Sequence, residues 1–225
     1  RAVIEFQDVA HGYGGGRLLS EMSLSLAPGS FHFLTGPSGA GKSTFLKLCY
    51  GELSPVAGRV SLFGQNLAQM SRDDIARLRR RVGVVHQDCQ FLDHLPLTEN
   101  VALPLTVAGR TANPSELDEL LAWVGLSGQT ASLPPSLSGG ERQRAALARA
   151  VIMSPEVLLA DEPTGNLDWE MSLRLLTLLV ELNRMGTAIL VATHDLNLIR
   201  AAKAQVPARV LRIRGGQVQV AGAEL

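Results

Sequence analysis

The residues with the clearest chemical potential form one glycine-rich segment: Gly36, Pro37, Ser38, Gly39, Ala40, Gly41, Lys42, Ser43 and Thr44. An apolar run precedes this segment and a helical pattern follows it, which is the context that a phosphate-binding loop requires. The glycines let successive backbone N–H groups face one anion at the positive end of a helix. Lys42 can then reach outer phosphates, Ser43 can bind Mg²⁺, and Thr44 can donate to an inner phosphate oxygen. The alternative is a chance glycine-rich turn that caps an ordinary helix. The full pattern, however, rarely occurs between a strand and a helix in a protein that does not bind phosphate.

Two carboxylates, Asp161 and Glu162, end the apolar run 157–160. Such a pair can hold Mg²⁺ through the first acid and polarise an attacking water with the second. An isolated pair after a strand is usually the start of a loop. Because the same chain carries a phosphate loop, the catalytic interpretation is favoured.

His194 follows the apolar run 188–193, at the end of another predicted buried strand. There a histidine can hydrogen-bond a terminal phosphate. The remaining histidines lack such a context and are expected to be structural or exposed: His11, His32, His86 and His94.

Two further segments have positions suited to ligand binding. Gln87 ends the continuous apolar run 82–86, at the carboxyl end of a predicted central strand, where ligands of α/β proteins collect. Leu137-Ser138-Gly139-Gly140-Glu141 opens a strong helical pattern, and a Ser-Gly-Gly start leaves backbone N–H groups available to an anion. A simple helix cap is the alternative for this second segment, and taken alone it is the more common case.

Tyr13 lies in a predicted turn, among the glycines of 12–16. An aromatic ring there could stack on an adenine face, but an exposed turn tyrosine is as common. The residues alone leave both interpretations open.

Composition limits the function classes. Lysine plus arginine and aspartate plus glutamate number 21 each in 225 residues, so there is no electrostatic case for a nucleic-acid partner or a polybasic membrane anchor. No run reaches the ~18 apolar residues of a membrane helix, and the chain by itself is expected to be soluble. Cys49 and Cys89 have no metal-like spacing, which favours two ordinary thiols in a reducing cytosol over a structural disulfide.

The pattern of apolar runs predicts an α/β fold. Alternation in 3–9 and 24–26 predicts an antiparallel start, and the later alternation of strands and helices predicts a mainly parallel sheet with helices on both faces. Residues 88–153 are expected to form a helical subdomain inserted into one domain that spans 1–225. Its proline-broken apolar segments could pack on the core, or could form a groove for a partner helix.

In their order along the chain these motifs resemble those of ATP-binding cassette ATPases, which have a P-loop NTPase core. By that resemblance Tyr13 stacks on adenine, and Gln87 contacts Mg²⁺ and reports the nucleotide state to the helical subdomain. Glu162 becomes the general base and His194 the switch histidine on the γ-phosphate. Chains of this superfamily that act in DNA repair carry long coiled-coil insertions or tandem cassettes, which this sequence lacks, and the intact Glu162 and His194 oppose a member that never hydrolyses.

The resemblance also implies partners and cofactors. ATP and Mg²⁺ are expected between two identical chains arranged head to tail, in an ATP-dependent homodimer. Ser138, Gly139, Gly140 and Glu141 would act in trans on the nucleotide of the other chain, and a loop with Asn166 and Asp168 would line the dimer interface. Several sides of a transferring phosphoryl group need positive charge, and one loop covers only one of them.

Narrower similarity points to one branch of the family. Residues 159–168 resemble the branch that contains cell-division, lipoprotein-releasing and macrolide-exporting ATPases, and 33–36, 46–48 and 99–105 look most like the cell-division members. This implies a peripheral protein on the cytoplasmic face of the plasma membrane, bound to a permease-like integral membrane subunit that regulates cell-wall hydrolysis. An energy subunit of a lipoprotein or macrolide transporter is the alternative. Cys89 and Trp169 depart from the expected pattern.

Overall fold

The computed structural model describes residues 1–12 and 18–221, so Tyr13 lies outside the described part of the chain. The N-terminal region forms an antiparallel sheet whose strands are β1 (Ile4–His11), β2 (Leu19–Leu26), β4 (Ala57–Leu62) and β5 (Gln65–Asn66). Their order across the sheet is β2, β1, β4, β5. The predicted antiparallel start is therefore confirmed, and β4 joins it through pairing with β1.

A second sheet forms the centre of the molecule. Its strands are β3 (Phe31–Thr35), β6 (Val82–His86), β7 (Val157–Asp161), β8 (Ala188–Ala192), β9 (Arg209–Arg214) and β10 (Gln217–Val220). The order is β10, β9, β3, β8, β7, β6, and only the β9–β10 pair is antiparallel. β3 and β8 are buried along their whole length, because helices cover both faces of this sheet. That cover explains why these strands read as continuous apolar runs.

Seven α-helices are present in the described residues: α1 (Lys42–Cys49), α2 (Arg72–Arg79), α3 (Leu97–Val107), α4 (Pro114–Trp123), α5 (Gly139–Val151), α6 (Trp169–Arg184) and α7 (Leu196–Lys203). Phe45 and Leu48 of α1 pack in one core, with Leu159 and Leu190 from the sheet. Helices α5, α6 and α7 pack in a second core on the opposite face, with neighbouring sheet residues such as Leu158. The predicted fold class, a mainly parallel sheet between helices, is confirmed.

Helices α3, α4 and α5 lie between β6 and β7, in the segment predicted to be helical. α3 runs through Pro104, where the sequence analysis expected the chain to be broken. Asn100, fully buried on this helix, accepts from the Leu92 N–H at 2.8 Å and donates to the Leu95 carbonyl at 2.9 Å, so the preceding loop is tied to α3. The boundaries of a subdomain over 88–153 stay a prediction.

None of the helices in the described ranges has the length and apolar character needed to cross a membrane.

Candidate nucleotide site

The phosphate-loop segment joins β3 directly to α1. Gly41 is the N-cap of α1 with a φ of 107°, and no side chain caps the helix start within the described residues. A Cβ at Gly41 would lie 3.0 Å from the Leu19 side chain, so only glycine fits this turn. The N–H groups of the first turn of α1 are thus left for an external acceptor.

Lys42, the first residue of α1, is buried at the base of the loop. Its Nζ donates to the Gly36 carbonyl at 2.6 Å and lies 3.4 Å from Glu162 Oε1. The ammonium group is therefore held inside the loop by one backbone acceptor and one carboxylate. Thr44, two residues further on, is also buried.

Ser43 and Asp161 meet across the interface between α1 and β7. Ser43 Oγ donates to Asp161 Oδ2 at 2.8 Å, although the two residues are 118 positions apart in the chain. A hydroxyl and a carboxylate at this separation are the hard oxygen donors that Mg²⁺ prefers. The donor set therefore fits a magnesium ion.

Glu162 has an unusual backbone conformation, with a φ of 43°. Its N–H donates to the Ala192 carbonyl at 2.8 Å, which anchors the turn to β8. A non-glycine residue in this region costs on the order of 1–3 kcal/mol, and such strain is concentrated at functional sites. Glu162 Oε1 lies 2.8 Å from His194 Nδ1, so the predicted base and the predicted switch histidine are in direct contact.

Sheet order brings these groups together. Because β3, β8, β7 and β6 are parallel neighbours, the residues that follow them leave the same edge of the sheet. The segments that leave there carry Gly36, His194, Glu162 and Gln87. The sequence analysis placed Gln87 and His194 at the carboxyl ends of predicted strands.

Gln87 lies at the same edge but contacts a different loop. Its Nε2 is 3.4 Å from Asn166 Oδ1, and a Cβ on Gly165 would come within 2.6 Å of the same nitrogen. The side chain therefore rests on the 165–166 backbone. Asn166, predicted in a dimer-interface loop, is thereby linked to the segment that follows β6.

These residues surround a cavity of about 800 Å³. Ser38, Gly39, Gly41, Lys42, Ser43, Thr44, Gln87, Asp161, Glu162 and His194 are among the residues that line it. His86 and Arg149 also line it, and the sequence analysis missed both. The position of His86 directly before Gln87 was the available signal, whereas nothing in the sequence pattern marks Arg149, which reaches the cavity from α5.

Ser138 is the N-cap of α5, as the simpler interpretation of this segment expected. Its Oγ accepts from the Glu141 N–H at 3.2 Å, and the Glu141 carboxylate accepts from the Ser138 N–H at 2.9 Å. The latter bond lowers the pKa of Glu141. Glu141 is thus engaged within its own chain, by both the backbone N–H and the side chain of Ser138.

We call Ser138, Gly139 and Gly140 the signature tip. Among the described residues, none of these three lines the cavity that holds the phosphate loop. Ser138 and Gly139 are exposed, whereas Gly140 is buried, so the start of α5 is open to solvent at its first two positions. The tip is therefore a second anion-ready helix start outside the nucleotide cavity of its own chain.

Asp168 is the N-cap of α6, and its carboxylate accepts from the Met171 N–H at 2.9 Å. Asn166 and Asp168 are both exposed. The loop that contains them links the end of β7, with Asp161 and Glu162, to a helix that begins beside the signature tip. That position is compatible with the predicted interface role.

The sequence profile of the ABC transporter family matches residues 19–165. The chain belongs to the ABC transporter family. Among curated relatives, the "Cell division ATP-binding protein FtsE" of Haemophilus influenzae is 45% identical over 203 residues, which cover 88% of this chain and 93% of the relative. The protein of the same name from Streptococcus pneumoniae is 41% identical over 220 residues, 96% of this chain and 94% of the relative.

Solved ABC cassettes have the same fold. The dimeric structure of the cassette MJ0796 superposes with a TM-score of 0.85 at 32% identity, covering 96% of both chains. The dimeric post-hydrolysis state of MJ0796 bound to ADP and Pi gives a TM-score of 0.83 at 31% identity, with the same coverage. This chain is accordingly an ABC ATPase subunit of the cell-division FtsE type, and the transporter alternative has less support.

Proposed function

We propose that this ABC ATPase binds Mg²⁺ and ATP in the cavity at the carboxyl edge of the central sheet and hydrolyses ATP as a head-to-tail homodimer. The observation that carries the proposal is the division of the motifs. Phosphate loop, Asp161, Glu162 and His194 share one cavity, while the signature tip lies outside it. In a head-to-tail dimer, the signature tip of each chain would complete the cavity of the other chain.

The phosphates would bind over the start of α1, whose first N–H groups no described side chain caps. Lys42, now within 3.4 Å of Glu162, pairs instead with the outer phosphates, which frees the carboxylate to act on water. Glu162 accepts a proton from the attacking water, and His194, at 2.8 Å from it, orients that carboxylate and hydrogen-bonds the γ-phosphate.

Ser43 and Asp161 would hold the magnesium ion, which would neutralise charge on the transferring phosphate when bound. Gln87 joins this set from the edge of the cavity, after its contact with Asn166 is exchanged. Tyr13 supplies the stacking surface for adenine. The loop with Asn166 and Asp168 lies at the dimer interface, and the helical segment 88–153 moves as the inserted subdomain.

The second copy contributes Ser138, Gly139 and Gly140 to the γ-phosphate. One phosphate loop surrounds only part of a triphosphate, and the charge that develops during transfer needs donors on the remaining side. The N–H groups at the start of α5 meet that need, and the Ser138 hydroxyl can join them by exchanging its bond with Glu141 for one with the phosphate. Glu141 supports the tip from within its own chain, a narrower role than the direct action in trans that the resemblance implies.

The cycle of dimer closure and opening acts on a membrane partner. The relatives named cell-division proteins support a permease-like, integral subunit of the FtsX type, with this chain held peripherally on the cytoplasmic face of the membrane. ATP binding closes the dimer, and hydrolysis releases it. The mechanical signal regulates cell-wall hydrolysis.

Replacing Glu162 by Gln tests the proposal. We expect ATP binding to persist, turnover to fall by about 10²- to 10⁴-fold because the general base is lost, and light scattering with ATP to give twice the mass of the 24.0 kDa chain. Adding Lys42→Ala to this variant is the control and should restore the mass of one chain. A single-chain mass with ATP, together with undiminished turnover, would show that the role given to Glu162 is wrong.

A further inference from the structure

A cavity of about 410 Å³ lies at the edge of the central sheet opposite the nucleotide site. The nucleotide cavity is lined by segments that follow β3 and β8, whereas this one is lined by His32 and Arg209, at the starts of β3 and β9. β3 and β9 are parallel neighbours, and His32 is in register with Arg209. The two side chains therefore lie side by side on one face of the sheet.

His32 is only 8% exposed, and its Nδ1 has no hydrogen-bond partner among the described residues. The sequence analysis expected this histidine to be structural or exposed. Burial and, to a smaller extent, the charge of Arg209 lower the pKa of His32. Buried polar atoms in proteins are normally hydrogen-bonded. A structural role alone therefore does not account for an unpaired imidazole in the wall of a cavity.

The charged side chains that line this cavity are all of one sign. No aspartate or glutamate is among its described lining residues, and exposed Arg209 carries the positive charge that acts on His32. Arg1 also lines the cavity, with its guanidinium group against Gly64. A guanidinium fork with no carboxylate beside it in the cavity suits an oxyanion such as phosphate, which it can bind in a bidentate manner. A cation would be repelled by the same group.

The walls of the cavity are held in place by hydrogen bonds within the chain. Ser30 Oγ donates to the Ala27 carbonyl at 2.7 Å, and Asn183 Nδ2 donates to the Gly29 carbonyl at 3.0 Å, so the turn between β2 and β3 is fixed. Ser25, exposed near the end of β2, also lines the cavity, and its hydroxyl can donate to an anion. Because the walls are already ordered, binding of a small ligand would require little further ordering of the chain.

We propose that this cavity binds a small oxyanion of the phosphate class, with Arg209 as its charge partner and His32 and Ser25 as hydrogen-bond donors. The site is separate from the nucleotide cavity, and the inference does not rest on the proposed homodimer. Two sources share this chemistry: inorganic phosphate, which ATP hydrolysis releases, and the phosphate of a lipid headgroup. β3 runs from His32 directly into the phosphate loop. An anion bound here would therefore lie at one end of a strand whose other end positions the nucleotide.

Nuclear magnetic resonance of the histidine side chains tests the site directly. The experiment uses Lys42→Ala protein, in which phosphate binding at the phosphate loop is weakened, and the ring signals of His32 are assigned by their loss in His32→Gln. We expect these signals to shift saturably as inorganic phosphate is added, and the pKa of His32 to rise, because an anion beside the ring stabilises its protonated form.

Vesicles distinguish the two sources of phosphate. Sedimentation with phosphatidylglycerol vesicles is compared with sedimentation with phosphatidylcholine vesicles. A shift of the His32 signals by free phosphate, without retention on either vesicle, identifies the free ion as the ligand. Retention on phosphatidylglycerol alone that is lost in Arg209→Gln identifies a headgroup. If neither response is seen, the inference is overturned, and the proposed ATPase mechanism is unaffected.

Substitution of the exposed arginine supplies a second readout. In the Lys42→Ala background, Arg209→Gln should weaken phosphate binding, measured from the His32 signals, by about tenfold or more, because a charge-assisted bond is lost. With Lys42 intact, the same substitution should leave the affinity for ATP unchanged. Arg214→Gln is the matched control, since Arg214 is exposed at the other end of β9. Equal phosphate affinities for Arg209→Gln and Arg214→Gln would contradict the site.

Discussion

The phosphate loop and the signature tip each lie at the start of a helix, but the two helix starts differ in how side chains of the same chain cap them. α1 begins at Gly41 with no side-chain cap within the described residues, beside buried Lys42. α5 begins at Ser138 with a reciprocal capping box formed with Glu141. The first helix start lies in a cavity that Asp161 and Glu162 also line, and the second lies outside it.

This difference explains how one chain can carry two halves of a site. An uncapped helix start needs an acceptor, so the loop of α1 is prepared for an anion. The signature tip is already stabilised by its own serine and glutamate. It can therefore remain exposed in the monomer without penalty and still offer N–H groups to a phosphate from another chain.

The largest expected effect concerns the phosphate loop. Lys42→Ala removes the buried ammonium group and leaves Glu162 without its cation, so ATP affinity should fall by roughly 2–5 kcal/mol, or about 30-fold or more. Isothermal calorimetry measures the change. Tight ATP binding by the variant would refute the assignment of the loop. Lys47→Ala, at the other end of α1, is the control and should bind ATP normally.

The signature tip should behave in the opposite way. Ser138→Ala keeps the nucleotide cavity of its own chain, so monomer affinity for ATP should be unchanged, while turnover should fall by about 10²- to 10³-fold because a transition-state donor is lost. Steady-state kinetics and calorimetry on one preparation separate the two effects. Ser136→Ala removes a neighbouring hydroxyl that donates to the Leu133 carbonyl and serves as the control. A tenfold loss of ATP affinity in Ser138→Ala monomer would contradict the division between the two regions.

A smaller effect is expected at Gln143, which connects the helix of the signature tip to the cavity that holds the phosphate loop. Gln143, buried on α5, donates to the Pro163 carbonyl and accepts from Cys89 Sγ. It therefore links α5 to the segments that follow β7 and β6. Gln143→Leu leaves a buried carbonyl unpaired and should cost about 1–3 kcal/mol of unfolding free energy. Chemical denaturation measures this. Exposed Gln205→Leu should change stability by less than about 0.5 kcal/mol, and equal losses in the two variants would remove Gln143 as a structural link.

Much of the fold and of the cavity could be predicted from the sequence because the residues concerned are contiguous or end apolar strands. The phosphate loop is one continuous segment. The contact between Glu162 and His194 follows from two strands that end at the same edge of a parallel sheet. Tyr13 lies outside the described residues, so its predicted role stays a prediction.

Other features of the site depend on contacts between segments far apart in the chain, which the spacing of residues along the sequence does not specify. The pairing of Lys42 with Glu162 requires a sheet order in which only β8 separates β3 and β7. Arg149 reaches the cavity because α5 packs beside β6, and no local pattern marks that position. Pro104 was a misleading signal, since α3 continues through it under the packing of its buried residues.

Mixing two inactive variants tests most directly whether each site is built from two chains. Lys42→Ala and Ser138→Arg, each inactive alone, should regain ATPase activity when combined, because the mixed dimer contains one site with an intact loop and an intact tip. Lys42→Ala combined with Glu162→Gln should regain none, since both residues serve the cavity of their own chain. Absence of recovery in the first mixture, with mixed dimers present by mass, or equal recovery in both mixtures, would contradict the account.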